Sequence, residues 1–152
     1  MDLNIVLVQP DIPHNTGAIG RLCVGLDARL HLIEPLGFFI DDAAVQRCGL
    51  DYWPHVRLAR HRSWDEFLAA ERPESLFFFS TRGTRSLYEL RLPPGAYLVF
   101  GSEKRGLPPE FYETYRDRLC RIPMPGPDAR SINLANAVAI AAYEACRQQA
   151  AG

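Results

Sequence analysis

The sequence predicts one α/β domain, a mostly parallel sheet flanked by helices, and three observations carry that expectation. Short apolar runs alternate with helix-like segments along the chain, which is the rhythm of βαβ units. Those runs are continuous rather than alternating polar with apolar, as suits strands covered on both faces. At 152 residues and 47% hydrophobic content, the chain is long enough for one real core and short for two.

In order, Leu3-Asn-Ile-Val-Leu-Val8 reads as the first strand and residues 16–26 as a helix. Leu30 to Ile33 is a second strand, followed by helical segments over 41–48 and 63–70. The run Leu76-Phe-Phe-Phe79 and then Tyr97-Leu-Val-Phe100 continue the sheet. A helix opens at Pro108-Pro-Glu, a short strand ends at Ile122, and a last helix covers 133–149. Pro93-Pro-Gly95 and Pro123-Met-Pro-Gly-Pro127 are turns within the domain, because each is short and leads into another periodic segment. The last helix is apolar almost all round with small side chains (Ala137, Val138, Ile140, Ala141, Ala142, Ala145). Such a helix is expected to be buried on two sides, by the sheet and by a partner subunit.

Composition narrows the function classes. Net charge is −1, which argues against a broadly basic nucleic-acid binder. Lys104 is nevertheless the only lysine among 17 cationic side chains, and arginine's planar fork suits phosphate and base edges. Arginines cluster at Arg57, Arg60 and Arg62, at Arg82 and Arg85, and at Arg116, Arg118 and Arg121. They permit a local phosphate-binding face, and a general preference for arginine explains them equally well. No run of about 18 apolar residues offers a membrane span. The chain enters its first strand without a cationic leader and cleavage site, so a cytoplasmic location is expected. Cys23, Cys48, Cys120 and Cys146 are too scattered for zinc or redox motifs and read as reduced, mostly buried thiols.

The richest stretch is the last third, where three segments join apolar strands to polar turns. They are Leu98-Val-Phe-Gly-Ser-Glu-Lys-Arg-Gly-Leu-Pro108, Arg121-Ile-Pro-Met124 and Ser131-Ile-Asn-Leu-Ala-Asn-Ala-Val-Ala139. Turns at the carboxyl ends of parallel strands form the crevice where α/β proteins bind ligands. The spacing of Gly101 to Gly106 and of Gly20 to Gly25 suggests a phosphate loop, but neither is followed by Lys-Ser or Lys-Thr, and no Gly-x-Gly-x-x-Gly occurs. There is no Gly-x-Ser-x-Gly elbow, and His14, His31, His55 and His61 lack metal-ligand spacing, so no metal is expected.

Taken with Pro10-Asp-Ile-Pro-His-Asn-Thr-Gly-Ala-Ile-Gly-Arg21, Ile33-Glu-Pro-Leu-Gly37 and Gly49-Leu-Asp-Tyr52, these segments resemble the SPOUT-class RNA methyltransferases, most closely the small TrmL-type group. The likeness spans nearly the whole chain, and one domain over residues 1–152 without a separate RNA-binding extension is expected. It implies a deep trefoil knot in the C-terminal portion, a feature no composition predicts. It also implies S-adenosylmethionine as cofactor, a homodimer packed through the last helix, and methylation of the wobble-pyrimidine ribose 2′-hydroxyl in the anticodon loop of tRNA, with leucine isoacceptors as the expected substrates. The alternatives are a sister enzyme of the same class acting on another tRNA or rRNA ribose, and a cofactor-binding or RNA-binding module without catalysis.

Carried over by position, the likeness assigns Phe79, Gly101, Ile122, Ser131 and Asn136 to the cofactor, with Glu103 binding there by ordering the cofactor loop. The residue types suit that assignment: Gly101 allows close backbone approach, Ile122 precedes a proline, and Ser131 stands just before a helix. Catalysis falls to Arg21, Tyr143 and Asn15. A guanidinium is a poor base, so Arg21 is expected to bind phosphate or stabilise developing alkoxide charge. Arg130, Arg82, Lys104 and Arg105 are expected to contact RNA. One departure from the commoner family pattern is Ser-Ile-Asn-Leu-Ala-Asn, which keeps both asparagines and loses one hydroxyl.

Overall fold

A computed structural model of the chain describes residues 1–41, 43–48 and 52–151. Of the Gly49-Leu-Asp-Tyr52 stretch, only Tyr52 lies within the described residues, and the side chain of Cys48 lies outside them. The chain runs β1 (Leu3–Val8), α1 (Pro13–Leu26), β2 (Arg29–Ile33), α2 (Ala43–Cys48), β3 (Arg57–His61), α3 (Trp64–Glu71) and β4 (Leu76–Phe79). It continues through β5 (Arg85–Ser86), β6 (Ala96–Phe100), α4 (Phe111–Thr114), β7 (Leu119–Arg121) and α5 (Leu134–Ala151). The seven strands form one sheet in the order β3-β2-β1-β6-β4-β7-β5, and every paired strand is parallel to its neighbour.

All six residues of β1 are buried, as expected of a central strand with neighbours on both edges. Alternate residues supply two cores. Leu3, Ile5, Leu7, Leu30, Leu32, Leu98 and Phe100 pack against Ile19 and Cys23 of α1 and Val138, Ala141, Ala142 and Ala145 of α5. On the other face, Val6, Val8, Ile33, Phe78 and Val99 meet Phe67 of α3 and Phe111 of α4. Helix α1 starts on Pro13, whose missing N–H costs nothing in the first turn, and stops at Asp27 in the left-handed region (φ 52°). Ser63 caps α3, its Oγ accepting from Glu66 N at 3.0 Å, while the Glu66 carboxylate accepts from Arg62 N.

Two strands escape the sequence reading. Strand β3 carries Arg57, Arg60 and His61 at the edge of the sheet, where polar side chains are tolerated. Its arginines, with Arg62, are paired with carboxylates: Arg57 with Asp27, Arg60 with Glu34, and Arg62 with Glu66. Strand β5 is two residues long, too short for any periodicity. The last helix is covered by the sheet on one side in this single chain. Val138, Ala141, Ala142 and Ala145 are buried, but Ile140 and Tyr143 on the opposite side are 43% and 56% exposed.

The C-terminal topology is unusual. The chain leaves β4, crosses the end of β7 through residues 80–84, and resumes on the far side of β7 as β5. Ser80 N donates to Cys120 O at 2.9 Å at the crossing. A Cβ on Gly83 would lie 2.1 Å from that carbonyl oxygen, so only glycine lets the two backbones pass. This overpass is consistent with a threaded C-terminal portion. Among the described residues, no helix is long and apolar enough to cross a membrane.

Under α3 lies a buried polar cluster. His31 Nε2 bonds Asn4 Oδ1 at 3.0 Å, and His31 Nδ1 bonds His61 Nε2 at 3.2 Å. One proton arrangement satisfies both bonds with neutral rings, His61 donating to His31 and His31 to Asn4. Glu71 stands 3.9 Å from His31 and accepts from Tyr97 Oη and Arg29. Burial pushes the His31 pKa down from 6.5 to about 4, opposed by Glu71 and helped by Arg29 and His61; His61 is lowered too, again chiefly by burial, against Glu71 and Glu66.

A histidine held neutral when folded binds fewer protons than the unfolded chain between those two values. Stability is therefore expected to fall as pH drops from 6.5 toward 4, with a slope of up to about 1.4 kcal/mol per pH unit per histidine. Urea unfolding across that range checks it. His31→Gln should flatten the profile, and a wild-type profile already flat there would mean that the rings are charged in the fold.

Candidate functional site

Three neighbouring strands, β6, β4 and β7, end at the same edge of the sheet, and the turns that follow them enclose a cleft of about 850 Å³. Its apolar wall is Phe79, Phe100, Leu107, Ile122, Leu134 and Ala137. Phe79 and Phe100 stack with centroids 5.1 Å apart and planes 10° from parallel. Gly101, Gly106 and Ser131 add polar backbone and a hydroxyl, and Arg82, Arg105 and Glu103 supply charge.

The loop after β6 is closed on itself. Ser102 and Gly106 exchange backbone hydrogen bonds at 3.1 and 2.9 Å, Ser102 Oγ accepts from Arg105 N, and Gly106 takes a positive φ of 73°. A Cβ on Gly101 would stand 2.0 Å from the carbonyl carbon of Gly106 and 2.2 Å from Leu107 N. Gly101 is thus required by the loop's own backbone, and the ligand approach inferred from sequence is not needed to explain it. A valine there would disrupt the loop before it could obstruct a ligand.

Glu103 joins this loop to the start of α1. Its carboxylate accepts from Asp11 N at 2.8 Å, Ile12 N at 2.9 Å and Asn15 Nδ2 at 3.2 Å. Helix α1 has no side-chain cap of its own; a carboxylate from the far side of the cleft instead holds the two amides just before it, those of Asp11 and Ile12, and lies at the positive end of its dipole. Asn15, only 8% exposed, spends its other end on Asn133, whose Nδ2 donates to Asn15 Oδ1 at 3.0 Å. Glu103, Asn15 and Asn133 therefore link the β6 loop, α1 and the N-terminus of α5 in one chain of bonds.

The residues singled out from sequence fall in two groups. Phe79, Gly101, Ile122, Ser131, Glu103, Asn15, Arg82 and Arg105 line the cleft. Arg21, Tyr143, Asn136, Lys104 and Arg130 do not line it. Asn136 is on the exposed side of α5, its N–H donating to Asn133 Oδ1, and Asn133 rather than Asn136 reaches the cleft. Arg21 is exposed on α1 with its guanidinium 4.8 Å from the ring centre of Tyr52. Sequence reasoning missed Ser80, Tyr112 and Asn133; Asn133 was visible as the first of the two motif asparagines, whereas Ser80 and Tyr112 carry no local signal.

Chemically, the cleft is shaped for binding more than for proton transfer. Burial pushes the thiol of Cys120 on β7 up to about 11 and that of Cys23 to about 12, against the opposing charge of Arg85 and Arg57 respectively. Neither is a thiolate nucleophile. The described His/Cys/Asp/Glu side chains that approach metal-ligand geometry are His31, His61 and Glu71, within 4.8 Å of one another and outside the cleft. Separation in sequence had hidden that pairing, since parallel strands bring His31 and His61 together across 30 residues.

Comparison with known proteins gives consistent findings. A model of the SpoU rRNA methylase family matches residues 2–143. The chain is 49% identical over 148 residues to a tRNA (cytidine(34)-2'-O)-methyltransferase of Burkholderia ambifaria, covering 95% of this chain and 94% of that protein. It superposes with a TM-score of 0.92 and 51% identity on a solved structure described as giving structural insights into the 2-OH methylation of C/U34 on tRNA, covering 99% and 97% of the two chains. It also superposes, at 0.85 and 25% identity, on the SpoU methyltransferase AviRb of Streptomyces viridochromogenes in complex with AdoMet, covering 98% of this chain and 58% of that one.

Removing the bridging carboxylate in Glu103→Ala should destabilise the protein by about 1–3 kcal/mol, because three donors lose a charged acceptor. Glu103→Gln should lose less, since one oxygen remains. Gly101→Ala should cost about 1–3 kcal/mol through backbone overlap. Urea unfolding reads all three, and an unaffected Glu103→Ala would show that the Asp11 and Ile12 amides find water instead.

Proposed function

This chain belongs to the SpoU rRNA methylase family, and from that membership we propose that it transfers a methyl group from S-adenosylmethionine to the ribose 2′-hydroxyl of the wobble pyrimidine in a tRNA anticodon loop. Cytidine and uridine at that position are the proposed acceptors, leucine isoacceptors the proposed tRNAs, and the cytoplasm the proposed location. The observation that carries the reading is the cleft itself, where the three motif-bearing turns meet at the ends of β6, β4 and β7. Near-identical length and 49% identity with a named tRNA (cytidine(34)-2'-O)-methyltransferase support the substrate.

The cleft fits a nucleoside-bearing cofactor. Its volume of about 850 Å³ lies in the range of small-molecule sites. The apolar wall of Phe79, Ile122 and Leu134 suits a purine, while backbone groups at Gly101 and Ile122 and the Ser131 hydroxyl offer hydrogen bonds. When bound, the cofactor supplies an electrophilic methyl group on a sulfonium. The protein's part is to hold an acceptor hydroxyl in line with it, since positioning alone can account for much of such a barrier. Glu103 and Asn15 keep the β6 loop and α1 in register, and so fix the cleft's width.

Arg21 is the proposed electrostatic partner of the substrate, binding its phosphate or the developing alkoxide. Among the described residues, no carboxylate is within ion-pair distance of it. Tyr143 belongs to the same proposal. It projects with Asn136 and Ile140 from the exposed side of α5, the face on which a second copy of the chain would pack to form the proposed homodimer. Lys104 and Arg130, both exposed, are proposed as outer contacts to the RNA.

Incubating the purified protein with tritiated-methyl S-adenosylmethionine and bulk tRNA, then digesting to nucleosides for mass spectrometry, tests class and position together. A 2′-O-methylated pyrimidine at the wobble position is the expected product; label elsewhere would point to a sister enzyme, and cofactor binding without label to a non-catalytic module. Arg21→Ala should lower kcat by about a hundredfold or more with cofactor affinity nearly unchanged. Parallel loss of cofactor binding would make Arg21 a structural residue.

A further inference from the structure

Arg82 is held in an unusual way. Its guanidinium carbon lies 3.6 Å from the ring centre of Tyr112, close enough that the cation rests on the face of the phenol. That ring is itself fixed, because Tyr112 Oη and Ser80 Oγ are hydrogen-bonded at 2.9 Å. Ser80 Oγ also accepts from Arg82 N at 3.1 Å, and Ser80 N donates to Cys120 O, so the unit is tied to the backbone overpass above β7. Ser80, Arg82 and Tyr112 all line the cleft.

The charge around Arg82 is as informative as its support. Arg29, Arg57, Arg60, Arg62 and Arg147 each pair with a carboxylate within 4.0 Å. Among the described residues, no carboxylate is that close to Arg82 or to Arg105, the other arginine of the cleft, and of the two it is Arg82 that rests on a fixed ring. Glu103, the acidic side chain of the cleft wall, is engaged with two backbone amides and Asn15. A guanidinium lying on a ring face keeps its N–H donors directed outward in its own plane, and so stays able to grip an anion bidentately. Stacking also reduces the side-chain freedom that such a grip would otherwise cost.

We propose that Arg82 is the anion-binding group of the cleft and that Tyr112, locked by Ser80, is the positioning residue that presents it. The ligand is an anionic oxygen pair, either a phosphate of the RNA substrate or the carboxylate at the amino-acid end of the cofactor. This rests on the methyltransferase reading above and adds to it the place where negative charge is held. The sequence reading already expects Arg82 to contact RNA; what the structure adds is its support on Tyr112, to which the sequence gives no role.

Binding measurements separate the two sources without requiring turnover, so they stand apart from the test of the reaction itself. S-Adenosylhomocysteine and 5′-methylthioadenosine, which lacks the amino-acid end, are titrated calorimetrically into wild type and Arg82→Ala. Bulk tRNA binding is measured across a series of salt concentrations. If the carboxylate is the ligand, Arg82→Ala weakens S-adenosylhomocysteine about tenfold or more and leaves 5′-methylthioadenosine unchanged. If a phosphate is the ligand, both small molecules bind as before, tRNA binds more weakly, and the slope of log affinity against log salt shrinks by about 0.7–0.9. Unchanged affinity for all three probes, with an unchanged salt slope, would overturn the proposal.

Tyr112 is tested with Tyr112→Phe, which keeps the ring, and Tyr112→Leu, which removes it. The leucine variant should lose about two- to fivefold in whichever affinity depends on Arg82, and the phenylalanine variant, which keeps the ring but gives up the bond to Ser80, should lose less. Equal losses in both variants, or a leucine variant indistinguishable from wild type, would overturn the positioning role. Arg82→Ala keeps the binding test independent of Tyr112 packing, since its side chain is exposed.

Discussion

The carboxylate of Glu103 is the contact on which the working end of this molecule depends. It closes the β6 loop onto the Asp11 and Ile12 amides that lead into α1 and onto Asn15, which in turn holds Asn133 at the start of α5. A helix that begins at Ile12-Pro13 has no side chain of its own to satisfy its leading N–H groups. Supplying that acceptor from a loop about 90 residues away makes the cap conditional on the tertiary fold. Helix entry and cleft wall are therefore coupled.

Close backbone approach is the second constraint, and glycine meets it twice. Gly101 lets the β6 loop fold back on Gly106 and Leu107, and Gly83 lets the β4–β5 connection pass over Cys120 of β7. These two crossings sit beside one another because β6, β4 and β7 are adjacent in the sheet. The cleft is bounded by backbone that cannot spread, which gives a preorganised site without a large investment in charged side chains. Its few charges are correspondingly committed: Glu103 to the Asp11 and Ile12 amides, and Arg82 to the face of Tyr112.

The opposite face of the sheet handles polarity differently. His31 is fully buried, yet Asn4 and His61 satisfy both its nitrogens while the rings stay neutral. Glu71, Arg29 and Tyr97 complete a second set of bonds beside it. A neutral imidazole with two partners avoids the large penalty of a buried charge, so this cluster can sit in the core beneath α3 next to Phe67.

What the sequence by itself determined follows from what is local and periodic. The unbroken apolar runs at β1, β4 and β6 announced a parallel sheet, and the turn chemistry after β6 and β7 located the edge at which the cleft opens, because hydrophobic period and Gly or Pro content act within a few residues. Strand β3 was invisible because an edge position lets Arg57 and Arg60 replace apolar side chains. Only the tertiary structure decided which asparagine of Ser131-Ile-Asn-Leu-Ala-Asn136 faces the cleft, why Gly101 must be glycine, and that Tyr112 carries Arg82. Each depends on backbone or side chains brought from a different strand end, and such pairings are set by sheet order and strand crossing, which leave no period in the sequence.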